Sequence, residues 1–148
     1  MTEKVVKILS IAGYLLMVAG LLLLYFNHGL FSFSPFVTMF QAAAIALMVW
    51  ARITFKTRSF HLSANPTEGG LVTTGPYKFV RHPIYASVLL FVWAAVAGNL
   101  SVENSLLGCV VFAGAIIRIL CEEPLVRERY PEYKQYAEKT KRLIPYVF

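Results

Sequence analysis

This sequence predicts an all-α integral membrane protein: about four transmembrane helices plus a C-terminal amphipathic helix at the interface. Three observations carry that prediction. The 148 residues are 57% hydrophobic and only 15% charged, with a mean hydropathy of +0.61. Soluble domains lie nearer half apolar and about a quarter charged. Four apolar runs are separated by short polar stretches, and the basic residues leave alternate connections empty. Length allows a single domain over 1–148, and nothing marks a second.

The first run, about 5–26, can cross a bilayer, because about 20 residues at ~1.5 Å rise fill the hydrocarbon layer. It is too long for a signal-peptide core, and no convincing small-residue cleavage site follows closely. The second run, about 36–55, passes Arg52 near its end. In these two spans Gly13, Gly20 and the Ala42, Ala43, Ala44, Ala46 cluster suit close helix packing in lipid. Gln41 reads as an amide bridging helices. The third and fourth runs, about 83–99 and 104–121, reach span length only with polar flanks such as His82 and Ser101.

The connection 56–82 has turn residues at Asn65-Pro66, Gly69-Gly70 and Gly75-Pro76, with "LVTT" as a short extended piece between them. It reads as a fold lying against the membrane surface. Pro83 suits the first helical position of span three, which puts His82 at the cap. Pro124 is expected to disturb span four and leave Glu122 and Glu123 at a helix C-terminus, where negative charge is disfavoured. A last helix is expected from about Pro131 to Arg142. It would have Tyr133, Ala137 and Thr140 on one face, Tyr130 and Tyr136 at its edge, and Lys134, Glu138 and Lys141 opposite.

All 14 Lys and Arg residues fall around span one's start, between spans two and three, or at and beyond the end of span four. The connections Asn27–Pro35 and Gly98–Asn104 hold none. The positive-inside rule then places both termini, the middle connection and any site there in the cytoplasm. The net charge of +6 is thus a topological signal, split among segments that flank spans, and speaks against a nucleic-acid partner. The basic segments also favour anionic headgroups. Cys109 and Cys121 are twelve residues apart on one expected helix, about 18 Å along its axis, so they read as packing residues rather than a disulfide or a metal site. No aspartate is present, which removes most carboxylate–metal and hydrolase designs. His28, His61, Trp50 and Trp93 read as structural or interfacial.

Chemistry concentrates in "GPYKFVRHPIY" and in "EEPLVRERYPEYKQY". If spans three and four form a hairpin, the two segments end side by side. A helix start flanked by Arg81 and His82 suits a carboxylate. Glutamates suit a ribose diol or an ammonium, and tyrosine faces suit a flat base or a cation. S-adenosylmethionine carries all of these groups; many nucleotides share several.

"TTGPYKFVRHPIYAS", one hydrophobic hairpin, then "EEPLVRERYPEYKQY" and "KRLIP" closely resemble the isoprenylcysteine carboxyl methyltransferase family, within the wider integral-membrane phospholipid methyltransferases. The resemblance covers about the last half of the chain. It implies S-adenosylmethionine bound between the two motif segments, with a lipid or prenylated acceptor arriving sideways from the membrane and no metal. The matching positions are Tyr77, Arg81, His82, Pro83, Tyr85, Glu122, Glu123, Tyr133, Tyr136 and Arg142. Ser87 stands where the family has glycine, Tyr130-Pro131 where Phe-Gly is usual, and Leu125 falls one residue early.

The roles implied are Arg81 and His82 on the cofactor's carboxylate region, and Glu123 or Glu122 on ribose or ammonium. Tyr77, Tyr85 and Tyr133 would wall the pocket, with Tyr136, Pro83 and Ser87 beside it. A carboxylate acceptor needs no base; an amine would need His82 or a glutamate. The competing reading, a small four-span transporter or channel without methyl transfer, requires a polar stripe deep in the spans. Apart from Gln41, polar groups cluster at span ends.

Overall fold

The computed structural model describes residues 3–55, 70–145 and 147. Among the described residues five α-helices follow one another: α1 (Glu3–Phe26), α2 (Pro35–Phe55), α3 (Pro83–Gly98), α4 (Val102–Arg129) and α5 (Tyr133–Lys139). A 3-10 turn, Gly75–Lys78, precedes α3. Among the described residues there is no strand; one isolated parallel bridge joins Val80 to Lys141. The chain is an all-α membrane protein. α1, α2 and α4 are long and apolar enough to cross a bilayer, whereas α3, at 16 residues, is a shorter apolar helix. Its length is about 24 Å at the usual rise. Leu15, Leu23, Ile45, Ile53 and Phe112 project outward, as they would toward hydrocarbon.

α1 packs most extensively on α4 and α2 on α3, and the two pairs join where α3 meets α4. Small residues explain the first pairing. A Cβ on Gly13 would stand 2.9 Å from the Gly114 carbonyl oxygen, and one on Gly20 would stand 2.6 Å from Val111 Cγ2. Lipid supplies no hydrophobic drive between helices, so close backbone approach and dispersion hold them. Met17, Leu24, Val92, Val96, Val111 and Ile119 fill the core between them. Of the alanine cluster on α2, only Ala44 is buried; Ala42, Ala43 and Ala46 are exposed. Adjacent helical positions diverge by about 100°, so a contiguous run cannot share one face.

The end of the bundle away from the motifs is sealed by amides. Gln41 Nε2 donates to Leu30 O at 2.8 Å, and Asn99 Nδ2 donates to Gly29 O and Phe31 O at 3.2 and 2.9 Å. Ser101 caps α4, accepting from Asn104 N at 3.0 Å.

Three expectations change at the other end. α4 does not stop at Pro124; it runs on to Arg129. A proline removes one intrahelical bond, and the flanking turns carry the helix past it. Glu122 and Glu123 therefore lie inside a helix, not at its terminus. α5 is shorter than 131–142, because Lys141 and Arg142 leave the helix to pair with the α3 start. Arg81 N donates to Lys141 O at 2.7 Å and His82 N to Arg142 O at 3.0 Å. In the middle connection, the Asn65-Pro66 turn, Gly69, Lys56, Arg58 and His61 lie outside the described residues. Residues 70–73 carry no regular structure, and Gly75 enters the 3-10 turn at φ +57°.

Candidate active site

α3 begins at Pro83 with His82 as its cap. That start faces Glu123, one turn below Ile119 on the buried side of α4. The Glu123 carboxylate accepts from Arg81 Nε at 3.0 Å and meets His82 Nε2 at 3.3 Å through one oxygen. Its other oxygen accepts from Arg142 Nε and Nη2 at 3.1 and 2.8 Å. Arg81 Nη1 also donates to the carbonyls of Ala137 and Thr140. The chain itself thus places one carboxylate at this helix start. Glu123 clamps the tail onto the start of α3.

Glu122 points elsewhere, because one helical position turns the side chain by about 100°. Its Oε1 accepts from Tyr85 OH at 2.5 Å and from Arg118 Nη2 at 2.9 Å. Arg118 Nε donates to Tyr85 OH at 2.7 Å, and its guanidinium lies 5.4 Å from the Tyr14 ring centroid. This closed set of tyrosine, arginine and glutamate spans α1, α3 and α4.

Above it lies a cavity of about 380 Å³. Its polar half is lined by Tyr77, Arg81, His82, Tyr85, Glu122, Tyr133 and Tyr136. Its apolar floor is formed by Met17, Val18, Leu21, Met48 and Val88. Eight of the ten residues expected at a cofactor, Pro83 among them, line this one space. Ser87 and Glu123 do not. Ser87 is 1% exposed and donates to Ile84 O at 2.7 Å, so its hydroxyl serves its own helix.

The family model for phospholipid methyltransferase matches residues 8–133. The chain belongs to the phospholipid methyltransferase family. This family member is also similar to two curated proteins. One is the nickel-cobalt-cadmium resistance protein NccN of Alcaligenes xylosoxydans xylosoxydans, 35% identical over 78 residues, which are 51% of this chain and 36% of that protein. The other is the cobalt-zinc-cadmium resistance protein CzcN of Cupriavidus metallidurans, 33% identical over 78 residues, 51% of this chain and 35% of that protein. The matched stretch thus spans about a third of these relatives. No solved structure matches the chain.

In this methyltransferase family member burial favours the neutral phenols of Tyr77, Tyr133 and Tyr136 at the cavity. Burial pushes the Tyr77 hydroxyl well above its ordinary value and nearby Tyr136 adds to that, while the Arg52 charge opposes it. Burial, then the Glu123 carboxylate, does the same to Tyr133. Tyr136 is pushed up to about 12 by burial, against the pull of Arg81. Its hydroxyl donates to Tyr77 O at 2.6 Å and pins the 3-10 turn to α5. Among the described residues, no three His, Cys, Asp or Glu side chains gather as metal ligands would.

Arg118, Tyr14 and Arg52 also line the cavity. The sequence marks Arg52 as a topological charge and Arg118 as a topological charge and a simple partner for the glutamates, and gives Tyr14 no role. The usable signals were an arginine inside an apolar run and the spacing Tyr14, Met17, Val18, Leu21, which places four side chains on one helix face.

Proposed function

We propose that this chain is an S-adenosylmethionine-dependent membrane methyltransferase that acts on a lipid-like acceptor and resembles the isoprenylcysteine carboxyl methyltransferases in its site. The observation that carries this is the single cavity gathering eight motif residues over an apolar floor. Its volume, about 380 Å³, falls within the ~300–1,000 Å³ common for small-molecule sites. The donor set fits the cofactor. Tyr77, Tyr133 and Tyr136 offer faces for a flat base, Glu122 offers a carboxylate for ribose or ammonium, and Arg81 and His82 stand at the side suited to a carboxylate.

When bound, the cofactor supplies a methyl already activated by a sulfonium. The protein's work is then alignment and exclusion of water. Tyr85 and Arg118 fix the Glu122 carboxylate, so a ligand meets it preoriented. The tail, latched by Glu123, closes the polar side with Tyr133 and Tyr136. Proton removal falls to His82 if the acceptor is an amine; an ionised acid needs none. The termini and the site face the cytoplasm, on the positive-inside argument.

Calorimetric titration of the purified chain with S-adenosylhomocysteine tests the proposal. Binding that falls at least about tenfold in Glu122→Ala supports it; no binding by the wild type overturns it. A tritiated-methyl assay over a panel of lipid acceptors, followed by base treatment, then separates methyl esters, which release methanol, from methylated amines.

A further inference from the structure

One oxygen of Glu123 lies 3.3 Å from His82 Nε2. That contact decides which ring nitrogen carries a proton. Two guanidiniums, Arg81 and Arg142, bond the same carboxylate, as they would an anion. An ionised carboxylate only accepts hydrogen bonds, so a bare Nε2 would set two lone pairs against each other. Nε2 therefore bears the hydrogen. In a neutral imidazole the other nitrogen, Nδ1, is then an acceptor.

Nδ1 is not used by the chain. His82 caps α3, where a side chain ordinarily accepts from a free backbone N–H, yet it makes no such bond. Among the described residues Nδ1 has no hydrogen-bond partner, and no side-chain nitrogen or oxygen is both fully buried and unpaired. So Nδ1 keeps access to open space, and the space that His82 borders is the cavity. Tyr85 flanks the ring, with centroids 5.8 Å apart, and Glu123, with Arg81 and Arg142 bonded to it, stands on the Nε2 side. The family resemblance gives His82 to the carboxylate region of a cofactor. A neutral ring with Nδ1 bare offers a carboxylate no donor. Arg81 does: its Nε and Nη1 are engaged, and its Nη2 makes no bond among the described residues.

We propose that Glu123, besides holding the tail, is a positioning residue that fixes the His82 tautomer, and that His82 Nδ1 is the proton acceptor of the cavity. The proton-acceptor step rests on the methyltransferase reading; the tautomer does not. In that step the attacking atom gives its proton to Nδ1 and its lone pair to the methyl carbon. The bond from that carbon to the sulfonium sulfur breaks, its electron pair stays on sulfur, and a neutral thioether leaves. His82 then carries the extra proton, and Glu123 on its far side steadies the charged ring until water takes the proton away.

The test uses the full chain in lipid discs, with nitrogen-15 in its three histidines. The ring signals absent from His82→Gln are those of His82. At about pH 8, where an ordinary imidazole is neutral, Nε2 should be protonated and Nδ1 bare. The opposite tautomer, an even mixture or two protonated nitrogens overturns the proposal, and the wild-type spectrum decides this without a variant. Glu123→Gln puts an amide NH₂ beside the ring, because both arginines compete for the remaining oxygen. The locked preference should disappear; an unchanged spectrum overturns the role of Glu123. Diethyl pyrocarbonate, which acylates bare imidazole nitrogen, should modify His82 at Nδ1, with exposed His28 as the control for the reagent. Modification of His28 alone overturns Nδ1 as an open acceptor. Single-turnover methyl transfer then tests the step. His82→Ala should slow transfer to the lipid acceptor by about 10²–10⁴-fold, keep its S-adenosylhomocysteine affinity, and regain part of the rate with added imidazole. A loss of that affinity by about tenfold or more puts His82 on the cofactor and overturns the step. An unchanged rate, as for an acceptor already ionised, overturns it too. A wild type that neither binds S-adenosylhomocysteine nor methylates any lipid removes the methyltransferase reading and the step with it, and leaves the tautomer result standing.

Discussion

Replacing Glu123 by alanine should undock the C-terminal segment, rather than delete a ligand contact. The carboxylate is 6% exposed, Arg81 11% and Arg142 33%. Breaking a buried ion pair by removing one partner costs about 3–5 kcal/mol, because the remaining charge is left without compensation. The Arg142 share is one-third solvated and screened, so it adds only ~0–1 kcal/mol. The low end for the Arg81–Glu123 pair suits its partial exposure, about 3 kcal/mol; Arg81 in turn holds the tail through the Ala137 and Thr140 carbonyls, so the loss of its counter-charge loosens tail docking by up to that amount, roughly a hundredfold. Amide exchange reads this locally. Arg81 N and His82 N donate to Lys141 O and Arg142 O, so both amides should exchange about a hundredfold faster in Glu123→Ala. Arg142→Ala should accelerate them only several-fold. Cofactor affinity should fall in parallel with the loss of protection, since Tyr133 and Tyr136 leave with the tail. Loss of S-adenosylhomocysteine binding in Glu123→Ala with both amides still protected would refute the latch and make Glu123 a direct ligand.

Three further predictions concern other residues. Glu122→Gln keeps the shape of the Tyr85–Arg118 set but weakens its charge-assisted bonds; thermal unfolding in detergent should show a loss of ~1–2 kcal/mol, and calorimetry a fall in cofactor affinity of about tenfold or more. Gly114→Ala puts a Cβ 2.6 Å from Gly13 O and should destabilise by ~1–3 kcal/mol, whereas Gly108→Ala meets nothing nearer than Val96 Cγ2 at 3.2 Å and should be nearly neutral. Because burial raises Tyr136 from 10.0 to about 12, the neutral phenol is favoured in the folded state. Its contribution is fully present below pH 10 and is lost as pH climbs toward 12, so the melting temperature should decline across that window, and Tyr136→Phe should shrink the decline.

Apolar runs and the distribution of Lys and Arg made the membrane class and the helix order legible, because hydrocarbon demands long apolar helices whatever their neighbours. The start of α3 was legible too, since Pro83 and His82 act locally. Partner choice was not. The chain joins α3 and α4 by a short connection, yet the most extensive partner of α4 is α1. That pairing depends on Gly13 meeting Gly114, a contact about a hundred residues apart that no local pattern encodes. The end of α4 was misjudged because a proline's local penalty is smaller than what a packed helix recovers beyond it. Ser87 was drawn to the site by its neighbours in a motif; the structure turns its hydroxyl to Ile84 O.

Glu122 and Glu123 show why a linear motif cannot distribute roles. Side by side in sequence they read as one unit, two carboxylates for one ligand. On a continuous helix they stand about 100° apart and belong to different surfaces. Arg118, Glu122, Leu125 and Val126 form the stripe that lines the cavity. Leu120, Glu123, Pro124 and Arg127 form the stripe beneath the tail. Had α4 ended at Pro124, both carboxylates would have been free at a helix terminus, and either could have turned to a ligand. Its continuation to Arg129 fixes them apart. On the proposed reading Glu122 is then the carboxylate that meets a ligand, while Glu123 holds the tail that brings Tyr133 and Tyr136 to the cavity. The two functions need each other: a preoriented carboxylate is worth most where water is excluded, and the exclusion depends on a tail held by the neighbouring residue.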